Sequence, residues 1–260
     1  MSDLFSLEGR TAVVTGGSRG IGLAIATAFL DAGARVLVCA RREGELAATV
    51  AELGAHGEVD GVRADLSTVA GVEDFVGEVT ARVDALDVLV NNAGATWGAA
   101  IESFPEDGWD KVMDLNVKAL HYVTAGLLPL LRAAASAERA ARVINIGSID
   151  GLTAPMMDNY AYSASKAALA QLTRHYARRL APEHILVNTI APGLFASKMS
   201  SFIIDTPEVA ALAMETIPVR RIGRPEEIGG TAVWLASRAG GYTTGATIVV
   251  DGGSLGAGRA

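Results

Sequence analysis

Cysteine is nearly absent from this chain of 260 residues, because Cys39 is its only thiol. One cysteine cannot form an intrachain disulfide, and it excludes a metal site built from several cysteines. Cys39 lies in an apolar run, which favours a small buried side chain over a reactive nucleophile. The four histidines lack the spacing of metal ligands, so the sequence predicts no metal site.

Long apolar runs and blocks of like charge are missing as well. No apolar stretch reaches the roughly 20 residues of a membrane-spanning helix, and the first residues do not resemble a signal peptide. We therefore expect a cytoplasmic protein with no membrane contact. The net charge is −7 and the chain has no basic stripe, so a nucleic-acid partner is not expected.

Short apolar runs rich in β-branched residues alternate with helical stretches along the chain. These runs are residues 11–15, 36–39, 59–64, 87–90, 143–146, 185–190 and 247–250. They are nearly continuous in apolar residues, which is typical of parallel strands covered on both faces. The sequence therefore predicts an α/β fold of Rossmann type over residues 1–260, a single domain. Its core would be a doubly wound parallel sheet of about seven strands with helices on both faces.

Two long segments, 110–132 and 160–180, are predicted to be helices that cover a face of the sheet. The second carries Tyr162 and Lys166, whose spacing of four places both side chains on one side of a helix. A cation beside a phenol favours the phenolate and lowers its pKa by roughly 1–3 units. Such a pair also occurs on solvated helix faces without chemistry, so its meaning depends on the rest of the chain.

A glycine-rich turn at 15–22 ends the first strand and begins the next helix. Its sequence, Thr-Gly-Gly-Ser-Arg-Gly-Ile-Gly, spaces the glycines as Gly-x-x-x-Gly-x-Gly. Backbone amides and the positive end of the helix can then face a diphosphate. A tight turn with no ligand is the alternative, but the position in the first βα unit favours a nucleotide cradle.

The end of the second predicted strand indicates which nucleotide is bound. An acidic residue there would accept hydrogen bonds from a ribose 2′-hydroxyl, but Arg41 and Arg42 stand there instead. Guanidinium groups match a 2′-phosphate in charge and geometry, and Arg19 in the glycine-rich turn adds a third. The sequence thus predicts NADP(H) rather than NAD(H), while Arg42 alone also fits an ordinary solvated residue at a helix start.

Four motifs, in chain order, resemble those of the short-chain dehydrogenase/reductase family over nearly the whole chain. They are the turn 15–22, Asn91-Asn92-Ala93-Gly94 after the fourth strand, Ser148 after the fifth, and Tyr162-x-x-x-Lys166. Pro192-Gly193 and Asp251-Gly252-Gly253 add weaker support. Segments 91–99, 142–148 and 223–227 look most similar to the 3-oxoacyl-(acyl-carrier-protein) reductases, and within them to the rhamnolipid-associated ketoacyl reductase branch.

The resemblance implies a catalytic tetrad of Asn116, Ser148, Tyr162 and Lys166. In the family the serine orients a substrate carbonyl and the tyrosine gives or takes the proton. The lysine lowers the pKa of the tyrosine and touches the nicotinamide ribose, while the asparagine supports a water that leads to the lysine. These are proton-transfer and electrostatic roles, whereas the hydride belongs to the cofactor.

The resemblance also implies a set of cofactor contacts. Asp65 would meet the adenine, and segment 192–197 would bracket the nicotinamide. Ser197 stands where the family usually has threonine, and it keeps the hydroxyl. The whole set is Gly16, Ser18, Arg19, Gly20, Ile21, Gly22, Arg41, Arg42, Asp65, Leu66, Asn92, Ala93, Gly94, Tyr162, Lys166, Pro192, Gly193, Phe195 and Ser197.

Segment 195–218 is expected to be a substrate lid with an apolar wall that includes Phe195, Met199, Phe202 and Met214. Such a wall suits an acyl chain, a ring or a terpenoid equally, and the same side chains can instead pack within the protein or against a neighbouring subunit. The predicted function is NADP(H)-dependent reduction of a ketone or 3-oxoacyl thioester, with Tyr162 as proton donor. The family implies a homotetramer.

Three other functions fit the same fold. They are a sugar, polyol or steroid-like alcohol dehydrogenase, a lyase, epimerase or dehalogenase without net hydride transfer, and a regulator that binds a nucleotide without redox chemistry. The regulator would tolerate loss of Tyr162 or Lys166, and both are present. Pro192-Gly193 on the nicotinamide side weighs against the second.

Replacing Arg41 with aspartate tests the predicted cofactor. A carboxylate at this position would accept hydrogen bonds from a ribose 2′-hydroxyl and repel a 2′-phosphate. We expect the Arg41→Asp variant to bind NADPH more weakly relative to NADH, measured as the ratio of the two dissociation constants. An unchanged ratio would contradict the assignment.

Overall fold

A parallel sheet of seven strands forms the centre of the computed structural model, which describes residues 2–155, 157–197 and 200–256. The sheet order is β3-β2-β1-β4-β5-β6-β7, and every neighbouring pair is parallel. The order reverses between β1 and β4, and ligands of doubly wound sheets bind at such a reversal. The strands are β1 (Thr11–Thr15), β2 (Arg35–Ala40), β3 (Val59–Arg63), β4 (Val88–Asn91), β5 (Ala141–Ile146), β6 (Ile185–Pro192) and β7 (Thr247–Val250).

Helices cover both faces of this sheet. One face packs against α1, α2 and α9, and the other against α3, α5 and α6. The helices are α1 (Gly20–Asp31), α2 (Glu43–Leu53), α3 (Val69–Thr80), α4 (Glu106–Met113), α5 (Leu120–Ala134), α6 (Tyr160–Leu180), α7 (Ser201–Ile204), α8 (Pro207–Thr216) and α9 (Pro225–Ala236). No helix within the described ranges is long and apolar enough to span a membrane.

The apolar strands contribute side chains to two hydrophobic cores, one on each face of the sheet. Val13 packs in the core beneath α3, α5 and α6, whereas its neighbour Val14 packs on the opposite face. Successive side chains of a strand point to opposite faces, so a strand buried on both sides needs apolar residues throughout. Cys39 of β2 is one of them, with 2% of its surface exposed. Burial raises the pKa of its thiol to about 12, which fits an inert core residue.

The predicted helix 110–132 is the main departure from the sequence-based expectation. The structure has α4, then a π-helical segment at Asp114–Ala119, and then α5. The chain stays helical throughout, so the prediction of a helical segment is confirmed. Its expectation of one uninterrupted α-helix was wrong. A π-helical turn inserts extra backbone into a helix and is frequent at functional sites. Here it carries Asn116.

A buried chain of polar side chains joins β4, β5 and β6 near their carboxyl ends. Asn91 Nδ2 donates to Asn145 Oδ1 at 2.9 Å and to Thr124 Oγ1 at 3.0 Å. Asn145 Nδ2 donates to Thr173 Oγ1 at 2.9 Å, and Thr173 bonds the hydroxyl of Thr189 at 2.7 Å. All five side chains are at most 4% exposed. Their mutual bonds satisfy groups that would be costly to bury unpaired.

Replacing Asn145 with leucine tests the weight of this chain in stability. The change leaves the Asn91 amide and the Thr173 hydroxyl without a shared partner, at about 1–3 kcal/mol for each unsatisfied group. We expect the Asn145→Leu variant to lose about 2–4 kcal/mol of unfolding free energy, measured by urea denaturation. As a control, Thr80→Ala removes an exposed hydroxyl that donates to the Val76 carbonyl of its own helix and should change stability by less than about 0.5 kcal/mol. An equally small change in Asn145→Leu would contradict the expectation.

Candidate active site

Ser148, Tyr162 and Lys166 converge beside the carboxyl end of β5. Ser148 follows this strand and caps the short turn Ile149–Gly151, while the other two lie in the first two turns of α6. The Lys166 Nζ atom lies 5.5 Å from the centre of the Tyr162 ring and donates to the carbonyl oxygen of Ile146 at 2.7 Å. The four-residue spacing therefore does place a cation beside the phenol, as the sequence predicted.

Burial sets the protonation of both side chains. It raises the pKa of Tyr162 to about 12, against a hydrogen bond with Ser148 that lowers it, and the charge of Asp150 raises it further. Burial also lowers the pKa of Lys166 to about 8. The net shift of the phenol pKa is therefore upward and not the expected fall, because burial disfavours the phenolate and the ammonium alike. The effect of Lys166 on the phenol stays a prediction. The phenol is accordingly protonated at neutral pH.

Asn116 connects the π-helical segment to two other parts of the site. Its Oδ1 accepts from the Ala95 backbone N–H at 2.8 Å, and its Nδ2 donates to the Ala95 carbonyl at 2.9 Å. Nδ2 also donates to Ser165 Oγ, at 2.9 Å, on the same helix as Tyr162. The side chain is 1% exposed. Asn116 thus holds the loop after β4 against α6, while its implied role toward a water stays a prediction.

The glycine-rich turn packs against the end of β4. Asn92 Nδ2 donates to the carbonyls of Thr15 and Gly16 at 2.9 and 3.0 Å. A Cβ on Gly22 would collide with the Gly16 carbonyl and the Asn92 amide, so only glycine allows this approach. The side chain of Arg19, at the N-cap of α1, makes no capping hydrogen bond. The amides of Gly20, Ile21 and Gly22 have no acceptor within the described part of the chain, so they are available to an anion.

The predicted 2′-phosphate contacts lie on the surface at the end of β2. Arg41 and Arg42 are both exposed, as is Asp65 after β3. Burial raises the pKa of Asp65, but hydrogen bonds from Ser67 and the charge of Arg41 outweigh it and leave the pKa below its usual value. Since β2 and β3 are parallel neighbours, Arg41 and Asp65 follow the carboxyl ends of adjacent strands. Their contacts with the adenosine end of a cofactor stay a prediction.

Ser18 and Arg19 have a partner that the sequence did not indicate. Glu45 of α2 accepts from the Ser18 hydroxyl at 2.8 Å and pairs with the Arg19 guanidinium at 3.3 Å. Ser18 also accepts a bond from Thr49 through its carbonyl. The sequence analysis assigned no role to Glu45, because only the fold brings α2 against the glycine-rich turn.

The residues of segment 192–197, which the resemblance assigns to the nicotinamide, lie in different surroundings. Pro192 ends β6, and the Gly193 amide donates to the Val250 carbonyl at 2.9 Å. Phe195 is 6% exposed and packs against Gly223, so its side chain belongs to the core and only its backbone remains for a cofactor. Ser197 bonds Ser200 and lies next to Gly20 of the glycine-rich turn. The turn and this segment therefore do meet.

The predicted lid consists mainly of α7 and α8. Phe202 and Leu212 are 58% and 65% exposed, which leaves apolar surface on both short helices. Met214 is half-buried. Met199 lies outside the described residues.

Asp150 and Asn159 are further residues that sequence reasoning missed. Asn159 Nδ2 donates to Asp150 Oδ2 at 3.0 Å, next to Ser148 and Tyr162. The only signal in the sequence was a carboxylate two positions after the predicted serine. No local pattern predicts a bond between residues nine positions apart in a loop.

Comparison with known proteins agrees with this geometry. A family model described as enoyl-(acyl carrier protein) reductase matches residues 16–254. The rhamnolipids biosynthesis 3-oxoacyl-(acyl-carrier-protein) reductase of Pseudomonas aeruginosa is 52% identical over 256 residues, which cover 97% of this chain and 99% of that protein. The 3-oxoacyl-(acyl-carrier-protein) reductase FabG of Chlamydia pneumoniae is 36% identical over 250 residues, covering 95% and 98%.

A solved structure, the Pseudomonas aeruginosa RhlG/NADP active-site complex, superposes with a TM-score of 0.96 at 50% identity. It covers 98% of this chain and 100% of that one. The chain therefore belongs to the short-chain dehydrogenase/reductase family and is an oxidoreductase with the Rossmann-type fold of that family.

Replacing Lys166 with methionine should stabilise the cofactor-free protein near neutral pH. Burial lowers the lysine pKa from 10.5 to about 8, so charging this amine destabilises the fold below about pH 8, and the effect fades above the ordinary pKa. We expect Lys166→Met to gain about 1–3 kcal/mol of unfolding free energy at pH 7, measured by chemical denaturation. The gain should shrink as the pH rises through 8 to 10.5.

The control for this prediction is Lys118→Met, which removes an exposed lysine paired with Asp114. Its effect on stability should be within about 0.5 kcal/mol. Two results would contradict the prediction: a loss of stability in Lys166→Met at pH 7, or an effect that does not depend on pH. Either would mean that the buried charge of Lys166 does not destabilise the fold.

Proposed function

We propose that this enzyme reduces the ketone of a 3-oxoacyl thioester to the hydroxy product with NADP(H). The observation that carries the proposal is the convergence of Ser148, Tyr162 and Lys166 beside the carboxyl end of β5. The relatives named for 3-oxoacyl-(acyl-carrier-protein) reduction, one of them 52% identical over nearly the full chain, support the substrate class. The solved complex with NADP supports the cofactor.

The residues of the site fit nicotinamide adenine dinucleotide phosphate, NADP(H). The uncapped amides at the start of α1 suit the diphosphate, because they combine free N–H groups with the positive end of the helix. Exposed Arg41 and Arg42 suit a 2′-phosphate, and no carboxylate stands at the end of β2 to bind a 2′-hydroxyl. When bound, the cofactor supplies the hydride that adds to the ketone carbon.

Tyr162 is the proton donor in this proposal. Its phenol is protonated because burial raises its pKa, and a group must hold a proton in order to give one to the developing alkoxide. Ser148 Oγ accepts a hydrogen bond from the Asp150 amide at 3.1 Å, and its O–H, which bonds the Tyr162 oxygen, could turn to donate to a substrate carbonyl. Serine and tyrosine would thus bind the same oxygen.

Lys166 and Asn116 have supporting roles. The Lys166 amine donates to Ile146 at 2.7 Å and keeps further N–H groups for a ribose hydroxyl. Asn116 holds α6 against the loop after β4. Both keep the phenol in one place relative to the glycine-rich turn.

The acyl chain is assigned to the lid over 195–218. Phe202 and Leu212 leave apolar surface exposed there, and an apolar chain lying against it would remove this surface from water at about 25 cal/mol per Å². A homotetramer remains part of the proposal, supported by exposed Tyr122 on α5 and Val249 on β7, and analytical ultracentrifugation measures it. The cytoplasmic location stays a prediction.

The test combines a substrate panel with a variant of the proposed donor. Short 3-oxoacyl thioesters and simple ketones are assayed with NADPH and NADH in parallel, and we expect oxidation of NADPH with the thioesters. Tyr162→Phe should bind NADPH nearly as well but lower turnover by about 10²–10⁴. Tyr160→Phe is the matched control, because its exposed hydroxyl bonds Asp158 and not Ser148.

Two outcomes would overturn the proposal. Absence of NADPH oxidation across the whole panel would remove the reaction class. Turnover in Tyr162→Phe close to that of the unchanged enzyme would remove the proton donor.

A further inference from the structure

The loop that follows β4, residues 92–100, has no regular secondary structure, and its two parts are held by different elements. The first part is bound to the glycine-rich turn. The amides of Asn92 and Ala93 both donate to the Thr15 hydroxyl, at 3.0 and 3.1 Å. This part therefore keeps its place through the turn that is proposed to bind the cofactor.

The second part of the loop is bound to the elements that carry the proton donor. The backbone amide and carbonyl of Ala95 both bond the Asn116 side chain, which in turn donates to Ser165 of α6. Farther along, the Ala99 amide donates to the Asp158 carbonyl at 3.0 Å, just before α6 begins. The second part of the loop thus supports α6 at two places.

Trp97 lies between these two supports, and its indole packs on α4. A Cβ on Gly108 of that helix would lie 2.8 Å from the Cγ, Cδ1 and Nε1 atoms of the indole. Such distances are too short for any side chain, so glycine allows the ring to approach the helix backbone directly. Glycine inside a helix is less favourable than alanine, and here the close approach of the indole requires it.

A cation of the same helix also faces the ring. The Lys111 Nζ atom lies 4.9 Å from the centre of the Trp97 ring, within the range of a cation–π interaction. Lys111 stands three positions after Gly108, so both lie on one side of α4. The half-buried indole is therefore in contact with the backbone of α4 and with the ammonium group.

We propose that Trp97 is a positioning residue: by packing on Gly108 and Lys111 it fixes the second part of the loop, so that Ala95 orients Asn116 and Ala99 supports the start of α6. Ordering an irregular loop costs backbone entropy, and burial of apolar indole surface offsets that cost. The inference rests on the proposed function in one respect, because it is Tyr162 on α6 that donates the proton there.

The first test compares turnover with cofactor binding. Trp97→Ala should lower kcat by about 10–100-fold, because a small displacement of a reacting group is enough for such a loss. The dissociation constant of NADPH, measured by titration calorimetry, should stay nearly unchanged, since Thr15 still holds Asn92 and Ala93. Trp97→Phe keeps an aromatic face for the ammonium and should recover most of the lost kcat.

Trp109→Ala is the matched control for this comparison. Trp109 is a tryptophan of the same helix, is 42% exposed and packs on Phe104 with the ring centres 6.1 Å apart. Its removal should leave kcat unchanged. A fall in kcat equal to that of Trp97→Ala would overturn the inference, because any loss of aromatic packing on α4 would then suffice.

Hydrogen exchange tests the contact without any substrate. In Trp97→Ala, the amides of Ala95 and Ala99 should lose protection, because their acceptors stay in place while the loop moves. The amides of Asn92 and Ala93 should keep theirs. Unchanged protection at Ala95 and Ala99 would overturn the inference whatever the activity.

Thermal unfolding tests the contact with Gly108 from the other side. In the unchanged protein, Gly108→Ala places a methyl group against the indole and should lower Tm by about 3–8 °C. In the Trp97→Ala background the same substitution should raise Tm by about 1–4 °C, because alanine is the better helix former. An equal change in both backgrounds would contradict the contact on which the inference depends.

The outcomes separate this inference from the proposed function. Loss of protection and a reversed Tm effect support the contact of Trp97 even if no thioester is reduced, in which case the proposed substrate fails and kcat is compared with the ketone that is reduced. Equal losses of kcat and of NADPH affinity in Trp97→Ala would overturn the inference, because they would mean general damage to the fold. An unchanged kcat in an enzyme that does reduce its ketone would overturn it as well.

Discussion

The hydrogen bond from Lys166 to the carbonyl of Ile146 joins the two elements that carry the site, helix α6 and the end of strand β5. It runs from a buried amine on α6 to the last residue of β5, over 2.7 Å. Ser148 follows that strand and Tyr162 lies one helical turn before the lysine, so this single contact brings the two together. A buried ammonium without partners would be very costly, and this bond offsets part of that cost. Burial of the lysine thus lowers the stability of the fold, while its position is needed to hold α6 against β5 at the site.

The fold could be read from the sequence to a large extent, because hydrophobic pattern and local geometry agree. The predicted bounds of β1, β7 and α6 match the structure, and Pro182 follows directly after α6, where a helix does not easily continue. The π-helical segment at Asp114–Ala119 could not be predicted. Its residues suit an α-helix, and the extra backbone is stabilised by the contacts of Asn116 with Ala95 and Ser165, which exist only in the folded chain.

The candidate site was predictable in its members but not in its electrostatics. The spacing of Tyr162 and Lys166 places the cation beside the phenol, but it says nothing of how far each is buried. Burial raises one pKa and lowers the other, so both groups become neutral more easily than in water. The bond between Asp150 and Asn159 was invisible for a related reason, because it joins two loop positions through tertiary packing.

Preference for a 2′-phosphate does not require free arginines. Arg19 pairs with Glu45 at 3.3 Å, but about half of the Arg19 side chain is exposed, and such surface pairs contribute roughly 0–1 kcal/mol. A phosphate carries more charge and offers more acceptor oxygens than a carboxylate, so it can replace Glu45 at little cost. Glu45 would still keep its bond to Ser18, which holds α2 against the glycine-rich turn. On the proposed binding of a 2′-phosphate, Glu45 would therefore position the Arg19 guanidinium instead of competing effectively with the phosphate.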